Sequence, residues 1–504
     1  MRILLVNPNS RGGIGLDQFL RAPPLNLMYL SGAVKPLGHE VDLVDLKYSG
    51  RDVDGDLLRQ IRRADLVGVT SLTPSIASAL EVARAAKELG KPTILGGYHP
   101  SLVPETCLAP EVDVTVQGEG EQTFVEFVTE LEASGGKLEP SWLKRVRGIS
   151  FEDHGRVQST PPRPFVKDLD QLPFPDRSLV ARNKYSYFGA TVDSLESARG
   201  CVGRCNFCCV RPHWGGRWRA KSPGRVIREI AQMNQRRRWF TFQDSEFTLD
   251  MKRVARIFKL VTQFGYDQRW YSAQGRLDDV VRHPEVVAKM ADGGFKMLFV
   301  GIESTYQRSL DYIGKRLKLD QVRRGVKILH DHGITIFGSI LIGNVGETYE
   351  MVERSIEFAH ELDVDIMQFT ALTPLPKTEL YAGAKRQGWI EKDDWSRFNF
   401  CDPVMRTPDL TTRQIRELVI KAYSGYYNRR FLEHFGWKFL RDPKFRWFFR
   451  MAAGFLRQAP KVFKFLRTLQ ARSAEDRDPE LARDGRDLSA FRPPERGARA
   501  AQAP

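Results

Sequence analysis

Three cysteines in one short segment constrain this chain more than any other feature of its sequence. Cys201, Cys205 and Cys208 are separated by three and then two residues, and the whole chain of 504 residues has only six cysteines. Thiolates at this spacing suit three ligands of one 4Fe–4S cluster whose fourth iron has no protein ligand. An iron left open in this way can bind a small molecule, so we expect the cluster to act as a reagent rather than only as an electron carrier.

Two other uses of these cysteines fit the sequence less well. A structural zinc site usually takes four ligands in two spaced pairs, and Cys209 would have to chelate beside its neighbour Cys208. A disulfide framework needs an even set of cysteines in a secreted chain, and the N-terminus does not resemble a signal peptide. Cys107 and Cys401 are isolated, and we interpret each as an ordinary small apolar residue.

The length and composition predict a multidomain globular protein of the cytoplasm. A chain of 504 residues is too long for one ordinary core, and 42% hydrophobic with 28% charged residues is a globular composition. No run approaches the roughly 18–20 apolar residues of a membrane span. A reducing cytoplasm suits both the free thiols and an iron–sulfur cluster.

The net charge of +15 is concentrated near the C-terminus. Residues 429–467 contain eleven Lys or Arg, eleven aromatic residues and only two acids. This concentration argues against a general nucleic-acid surface. Residues 401–470 are predicted to be helical, and residues 429–467 within them are predicted to form a lid with a solvated basic face, an interfacial segment on anionic lipid or an RNA-binding segment. Residues 471–504 lack periodicity and are expected to be disordered.

Residues 1–150 alternate short apolar runs with helical patterns, which predicts a doubly wound parallel sheet. Ligands bind such sheets at the carboxyl ends of the strands. Small and polar residues cluster there, and glycines allow close approach of the backbone, although each pair alone could be an ordinary turn. These residues are Asn9, Ser71, Thr73, Gly96, Gly97, Gly118 and Gly120.

Residues 151–190 are predicted to be a Pro-rich linker, with Pro161, Pro162 and Pro164 in its first part. Strand–helix alternation resumes over residues 191–400. Six such units predict an open, partial (β/α)6 barrel, whose chemistry is expected at the carboxyl ends of its strands. A short strand over Leu195–Ala198 is expected to deliver the cysteine segment.

The N-terminal half resembles the cobalamin-binding, Rossmann-like domain of one large enzyme class. The resemblance rests on residues 71–73, 96–100 (Gly-Gly-Tyr-His-Pro) and 118–121 (Gly-Glu-Gly-Glu). Many such domains carry D-x-H-x-x-G after the first strand, whereas residues 7–12 here contain no histidine. The resemblance therefore implies base-off cobalamin, with His99 as a substitute ligand or only a loop residue. The cobalamin-binding residues that it implies are Asn9, Ser71, Thr73, Gly96, Gly97, His99, Gly118, Glu119 and Gly120.

The second half resembles the radical S-adenosylmethionine family. The resemblance rests on the three spaced cysteines, on Phe207 before the third, and on residues 301–304 and 373–378. It implies that the open iron binds S-adenosylmethionine and that one electron cleaves this molecule to a 5′-deoxyadenosyl radical. Hydrogen-bond acceptors of the protein must then bind the amino group of S-adenosylmethionine, and a cation must bind its carboxylate. Each of these residues could instead form a salt bridge at the barrel mouth. The candidates are Asp244, Glu246 and Glu303 as acceptors, Arg276 as the cation, and Gly343 and Gly346 beside the adenine.

Together the resemblances cover roughly residues 1–400, and the chain is identified as a member of the cobalamin-binding radical S-adenosylmethionine enzymes. The branch is similar to the methyltransferases and anaerobic tetrapyrrole cyclases. It implies C-methylation of an unactivated carbon, or alternatively oxidation or ring formation of the kind catalysed by anaerobic Mg-protoporphyrin monomethyl ester cyclase or by lipid-modifying enzymes. The alternative from another functional class is a protein without catalytic activity that senses cobalamin or an iron–sulfur cluster.

Several partners follow from this interpretation. The substrate is expected to be a hydrophobic small molecule such as a lipid or a tetrapyrrole, and flavodoxin or ferredoxin is expected to supply electrons. Residues 429–467 would make peripheral contact with the inner face of a membrane. The sequence leaves open the substrate, the lower cobalt ligand, the oligomeric state and any single catalytic side chain.

Overall fold

The structure of the chain is a computed structural model. It describes residues 1–9, 20–47, 53–180, 185–445 and 447, and for residues 428–441 it describes the backbone alone.

The first half of the chain alternates strands and helices as the sequence predicts. Its first strand is a run of four fully buried apolar residues, Ile3 to Val6. The strands are β1 (Arg2–Asn7), β2 (Leu20–Arg21), β3 (Glu40–Asp45), β4 (Leu66–Thr70), β5 (Thr93–Gly96), β6 (Val114–Val116), β7 (Ile149–Asp153) and β8 (Arg156–Ser159). The helices are α1 (Leu25–Val34), α2 (Gly55–Arg63), α3 (Ile76–Glu88), α4 (Tyr98–Leu102), α5 (Glu121–Ala133) and α6 (Pro140–Leu143).

Seven of these strands form one sheet in the order β3-β1-β4-β5-β6-β7-β8, and the first five are parallel. Helices cover both faces, so neighbouring side chains of one strand enter different cores. Leu4 and Val6 of β1 belong to one apolar cluster, whereas Ile3 and Leu5 belong to another. The predicted doubly wound sheet is confirmed, and the carboxyl ends of its strands share one edge.

The hairpin β7–β8 differs from the linker predicted to begin at residue 151. Its two antiparallel strands extend the first sheet, with Phe151 opposite Val114, so this layer ends only at Ser159. The turn places His154 and Gly155 at φ angles of 53° and 74°. Two positive φ angles are typical of the tight turns that join twisted strands. The alternation in this hairpin is too short to be distinguished from the Pro-rich stretch that follows it.

The second half contains the remaining strands and helices. The strands are β9 (Ser186–Tyr187), β10 (Ala190–Leu195), β11 (Ala198–Gly200), β12 (Trp218–Ala220), β13 (Trp239–Phe242), β14 (Trp270–Gly275), β15 (Phe295–Glu303), β16 (Thr335–Ile342) and β17 (Ile366–Ala371). The helices are α7 (Val210–Trp214), α8 (Pro223–Gln232), α9 (Met251–Gln263), α10 (Leu277–Arg282), α11 (Pro284–Asp292), α12 (Gln307–Tyr312), α13 (Leu319–Asp331), α14 (Tyr349–Glu361), α15 (Glu379–Arg386) and α16 (Thr412–Arg441).

The second sheet has the order β17-β16-β15-β14-β13-β10-β9-β2. Its six parallel strands, β10 and β13 to β17, form the predicted partial barrel. Strand β2 comes from the first half and pairs antiparallel with β9, so the N-terminal segment completes the barrel sheet. The strand expected over Leu195–Ala198 is instead divided: β10 ends at Leu195, and β11 begins at Ala198 as part of a separate hairpin.

One apolar cluster joins the two halves. Leu25, Met28 and Tyr29 of α1 belong to the same cluster as Trp239 and Trp270, which open strands β13 and β14. The barrel and the first sheet therefore share buried surface, and the free energy of burial links their stabilities. In the described part of the chain, no helix combines the length and apolar character required to cross a bilayer.

Within residues 401–470, for which the sequence predicts helix, α16 covers Thr412–Arg441, whereas residues 401–411 form no helix. Most of the basic, aromatic segment 429–467 and the whole predicted disordered tail lie outside the described residues. The predicted contact of this segment with a membrane remains a prediction.

Candidate active site

The three cysteines lie on the connection of a two-stranded hairpin at the mouth of the barrel. Strands β11 and β12 pair antiparallel with Gly200 opposite Trp218, and residues 201–217 join them. Gly200 has a φ angle of 88°, and a Cβ there would lie 2.0 Å from the carbonyl oxygen of Arg217. Only glycine fits this position, so Gly200 sets the start of the cysteine segment.

Backbone contacts from two barrel elements hold the middle of this segment. The amide nitrogen of Asn206 donates to the Ile313 oxygen at 3.0 Å, and the Leu380 nitrogen donates to the Asn206 oxygen at the same distance. A Cβ on Gly314 would lie 2.5 Å from the Arg204 oxygen, so the loop after α12 packs directly on the segment. These contacts give the cysteines a defined backbone in the absence of regular structure.

The cysteines are free thiols, each partly buried. Burial raises the pKa of Cys201 and of Cys205, and the positive charges of Arg276 and Lys315 act against this rise. Burial also raises the pKa of Cys208, without a comparable cation beside it. A thiolate is the form that binds iron, so the two cations favour the ligand form of Cys201 and Cys205.

Among the described residues, no three His, Cys, Asp or Glu side chains converge closely enough to hold a single metal ion. The ligands of a 4Fe–4S cluster each bind a different iron and stand further apart than the ligands of one zinc ion. Cys209, the fourth cysteine of the segment, has its pKa raised to about 11 by burial.

Glu246 and Arg276 come from neighbouring strand ends and lie near the cysteines. Glu246 accepts hydrogen bonds from the nitrogen and the Oγ1 of Thr248, at 3.0 and 2.8 Å. Burial raises its pKa to about 7. Arg276 is fixed by its Nε contact with Asp278 at 2.9 Å and by a bond to the Arg316 oxygen at 3.1 Å. The charge of Glu246 acts on Cys201, and that of Arg276 on Cys201 and Cys205.

Glu303 has an unusual backbone at the end of β15. Its φ angle is 67°, and the register between β15 and β16 shifts between Gly301 and Glu303. Such bulges redirect a side chain, and a non-glycine residue with positive φ carries strain. The Glu303 carboxylate meets the Nζ of Lys315 at 3.1 Å. Lys315 is a residue that the sequence analysis missed, because an isolated lysine after a short helix has no distinctive pattern.

Of the other residues predicted to bind S-adenosylmethionine, Asp244 holds backbone, and Gly343 and Gly346 adopt positive φ angles. Asp244 accepts from the nitrogen and the Oγ of Ser197, at 2.6 and 2.5 Å, and so fixes the turn between β10 and β11. Gly343 and Gly346 have φ angles of 92° and 83°. A Cβ on Gly343 would lie 2.9 Å from a side-chain carbon of Ile415.

A cavity of about 550 Å³ lies between the first sheet and the cysteine hairpin. The strand ends of the first sheet form one wall, and residues from both sides of the cysteine segment form another. Lining residues of the first kind include Thr70, Leu72, Gly96, Gly97, Tyr98, Gly118, Glu119, Gly120 and Glu121, and those of the second kind are Glu196, Arg199, His213 and Trp214. This volume lies in the range of ligand sites.

Five of the nine residues predicted to bind cobalamin line this cavity: Gly96, Gly97, Gly118, Glu119 and Gly120. Asn9, Ser71, Thr73 and His99 are not among its lining residues. His99 is fully buried, its Nδ1 lies 3.3 Å from the Oγ1 of Thr73, and burial lowers its pKa to about 3. The structure thus places His99 in α4, behind the strand ends, and its role as a cobalt ligand or a turn residue stays a prediction.

Two glycines in the wall of this cavity occupy positions where a Cβ would collide with a neighbouring residue. Gly97 has a φ angle of 107°, and a Cβ there would lie 2.5 Å from the Ser71 oxygen. Gly68 lies inside β4, and a Cβ there would lie 2.9 Å from the Leu5 side chain. The cavity therefore extends from an open mouth at the strand ends to an apolar floor that includes Leu5 and Ile94. This lining of strand-end glycines and apolar side chains suits the flat face of a corrin.

Comparison with known proteins assigns the two halves of the chain to two different families. Residues 18–128 match the B12 binding domain family, and residues 195–359 match the radical SAM superfamily. The chain is 34% identical to the uncharacterized methyltransferase PH0819 of Pyrococcus horikoshii, over 85% of this chain and 93% of that protein. It is 28% identical to the anaerobic magnesium-protoporphyrin IX monomethyl ester cyclase of Cereibacter sphaeroides, over 87% of this chain and 72% of that protein.

A solved structure has the same fold. The cobalamin-dependent S-adenosylmethionine radical enzyme OxsB, with aqua-cobalamin and S-adenosylmethionine bound, superimposes with a TM-score of 0.67 at 17% identity. The superposition covers 96% of this chain and 81% of OxsB.

The fold and the site define an enzyme that combines a cluster-bearing barrel with a corrin-binding sheet. The chain belongs to the family of cobalamin-binding radical S-adenosylmethionine enzymes. Its cofactors are a 4Fe–4S cluster, S-adenosylmethionine and cobalamin, as the sequence predicts.

Proposed function

We propose that the protein transfers a methyl group from cobalamin to an unactivated carbon of its substrate. The observation that carries the proposal is the shared cavity, in which strand ends of the corrin-binding sheet face residues that flank the cluster cysteines. When bound, the corrin supplies a methyl group and the cluster with S-adenosylmethionine supplies a radical. A substrate in this cavity would meet both.

The chain's own residues hold the reactants in this proposal. Arg276 binds the carboxylate of S-adenosylmethionine, because its guanidinium is already fixed by Asp278 and the Arg316 oxygen. Glu246 and Glu303 are the acceptors near its amino group. Glu303 is directed by its own strained backbone and by Lys315. These groups lose little freedom on binding, since protein contacts already orient them.

A hydrophobic substrate of the lipid or tetrapyrrole kind is the class that we propose. The N-terminal segment before α1 contributes Leu20, Pro23 and Pro24 to the cavity, α1 contributes Leu25, and Tyr187 of β9 adds an aromatic ring. These residues form the apolar side of the cavity, where burial of apolar substrate surface would contribute to binding.

Ring formation or oxidation is a second candidate, favoured by the similarity to the Cereibacter cyclase over most of this chain. The ratio of S-adenosylhomocysteine to 5′-deoxyadenosine distinguishes methyl transfer from ring formation or oxidation. The reconstituted enzyme would be incubated anaerobically with S-adenosylmethionine labelled in its methyl group and with extracts of the host's lipids and pigments. Methyl transfer predicts equal amounts of S-adenosylhomocysteine and 5′-deoxyadenosine, with label in a new product. Formation of 5′-deoxyadenosine without S-adenosylhomocysteine would support oxidation instead, and absence of both would contradict an enzyme.

We also propose that a flavodoxin or ferredoxin reduces the cluster through the exposed side of the cysteine segment. Val202 and Tyr312 are two of the five exposed large hydrophobic residues in the described chain. Exposed Arg204 and Arg316 lie in the same two loops, and the Asn206 side chain donates to the Tyr312 oxygen at 2.9 Å. An apolar patch with basic neighbours suits an acidic redox protein.

Charge reversal tests this docking surface. Arg204→Glu combined with Arg316→Glu should reduce flavodoxin-driven formation of 5′-deoxyadenosine at least tenfold, while dithionite-driven formation stays near the wild-type rate. The matched control is Arg323→Glu with Arg324→Glu on α13. Equal loss with both reductants would mean that the substitutions damage the site, and no loss with flavodoxin would place docking elsewhere.

A further inference from the structure

Loops of the corrin-binding sheet contact the cysteine segment on both of its flanks. Upstream, Arg199 precedes Cys201 by two residues. Its Nη1 donates to Oε1 of Glu119 at 2.8 Å, and its Nη2 donates to Oε1 of Glu121 at 2.6 Å. Glu119 lies in the loop between β6 and α5, and Glu121 is the first residue of α5. The guanidinium of Arg199, just before the cysteine segment, therefore contacts two carboxylates of the cavity wall.

This contact is buried and ionised. Arg199 is only 5% exposed, and the two glutamates are buried as well. Burial by itself would lower the pKa of Arg199, but the charges of Glu121, Glu196 and Glu119 raise it well above its usual range. Burial would raise the pKa of Glu121, whereas Arg199 holds it below its usual range. Buried ion pairs of this kind have narrow geometric tolerance, because each partner lost leaves an uncompensated charge.

Strand β12 adds a second contact to the same carboxylate. Arg199 and Arg219 are directly opposite each other in the β11–β12 hairpin, where two like charges repel. The Nη1 of Arg219 donates to both oxygens of Glu119, at 3.1 and 3.0 Å, and Oε1 also accepts from Arg199, so one carboxylate lies between two cations. Glu119 thus stabilises the base of the hairpin from the opposite domain.

Downstream, Tyr98 contacts the helix that follows the cysteines. Its ring stacks on His213 of α7 with 4.0 Å between the ring centroids, and its hydroxyl oxygen accepts from Nε1 of Trp214 at 2.9 Å. Tyr98 begins α4, next to the constrained Gly97. The two strand-end loops of the corrin-binding sheet therefore hold the beginning and the end of the cluster segment separately.

We propose that Arg199 is a positioning residue whose paired contact with Glu119 and Glu121, together with the Tyr98 stack, sets the separation and orientation of the cobalamin and the iron–sulfur cluster. The assignment requires that both cofactors bind, as the family does, and it does not depend on whether the net reaction is methyl transfer or ring formation. The planar fork of arginine serves two carboxylates at once, which the single ammonium of lysine does not.

Arg199→Lys is the decisive variant, since it keeps one charge and removes the fork. Glu121→Gln is the second variant and keeps the shape of the carboxylate. Arg177→Lys is the matched control: Arg177 contacts Asp193 at 2.6 Å inside the barrel, is nearly as buried, and does not touch the cavity wall. Each protein would be reconstituted with iron, sulfide and cobalamin, and its content of both cofactors measured.

The readout is the magnetic interaction between cob(II)alamin and the reduced cluster, measured by electron paramagnetic resonance without substrate. In Arg199→Lys and Glu121→Gln we expect wild-type cofactor contents but a weaker and broader distribution of this interaction, seen as slower relaxation of the cob(II)alamin signal. Arg177→Lys should retain the wild-type signal. An unchanged interaction in both variants overturns the proposal. So does loss of either cofactor from both, because a positioning residue alters spacing rather than loading.

Discussion

At the scale of single residues, the cysteine segment depends on charges that are distant in sequence. Arg276, directly after β14, and Lys315, after α12, act against the rise in the thiol pKa of Cys201 and Cys205 that burial causes. Cys209 has no such cation among the causes of its shift. Nearby cations therefore favour the thiolate form of two of the three assigned ligands, whereas Cys208 is distinguished from Cys209 by spacing alone.

Replacement of single cysteines tests this distinction. Cys205→Ala should lose the cluster, with iron and sulfide contents near background after reconstitution and no 5′-deoxyadenosine formed. Cys209→Ala is the matched control and should keep wild-type iron and sulfide contents. Iron retained by the Cys205 variant, or lost by the Cys209 variant, would contradict the three-ligand assignment.

Asp244 gives the protein a pH-dependent stability. Burial raises its pKa from 3.8 to about 6, although Ser197 and Arg253 oppose the shift. The carboxyl is therefore more easily protonated in the folded state, and its stabilising contribution is complete below pH 4 and lost as the pH rises through 6. A shift of about two units corresponds to on the order of 3 kcal/mol.

Asp244→Asn should remove this dependence while its amide keeps both contacts with Ser197. The variant is expected to gain stability relative to the wild type between pH 4 and pH 7. Thermal unfolding of both apoproteins across this range provides the measurement. A difference in melting temperature that stays constant with pH, or that moves in the opposite sense, would contradict the assignment.

At the scale of elements, strand ends determine where the cofactors meet. Strand β5 ends at Gly96, and Gly97 then turns the chain so closely past β4 that no side chain fits. The turn brings Tyr98 to the cavity and to α7. The turn at Gly97, between β5 and α4, thus shapes one wall of the cavity and places Tyr98 against the helix that follows the cysteines.

Gly97→Ala should therefore add a steric collision to the backbone strain and lower the affinity for cobalamin. A left-handed alanine costs about 1–2 kcal/mol by itself, and here its Cβ would also collide with the Ser71 backbone. We expect at least a tenfold loss of cobalamin affinity, measured by absorbance after gel filtration. Gly90→Ala is the control, since Gly90 has a φ angle of 67° but no atom near its Cβ position. Equal behaviour of the two variants would count against the close approach at Gly97.

At the scale of the whole molecule, the two halves are folded into one another. Strand β2 of the first half ends the barrel sheet, and α1 packs in the apolar cluster beneath it. A buried polar contact lies across the same boundary: Glu229 of α8 accepts from Tyr29 of α1 at 2.9 Å and from Lys221 at 2.7 Å. The barrel is thus incomplete without the N-terminal segment.

Glu229→Gln should destabilise the whole protein rather than the barrel alone. The substitution leaves the buried ammonium of Lys221 without a carboxylate, which costs about 3–5 kcal/mol. Unfolding should shift together when followed by tryptophan fluorescence and by far-ultraviolet circular dichroism. Glu126→Gln is the control, because its pair with Arg163 lies partly exposed and is worth at most about 1 kcal/mol. A shift seen by only one of the two probes would show that the halves unfold independently.

The sequence by itself determined the features that repeat along the chain or lie close together in it. The spacing of Cys201, Cys205 and Cys208, the alternation of strands with helices, and the glycines at strand ends all depend on local chain geometry, so their interpretation held for the sheet, the barrel and the cofactors. Tertiary structure alone decided which side chains meet. Arg199 reaches Glu119 and Glu121, Lys315 reaches Glu303, and β2 joins a sheet whose other strands begin at residue 186. A lone charged residue carries no periodic signal, and the short β7–β8 hairpin is not distinct from its Pro-rich surroundings. Burial and pairing of such residues arise only when distant segments pack, and here that packing is what brings the corrin cavity to the cluster.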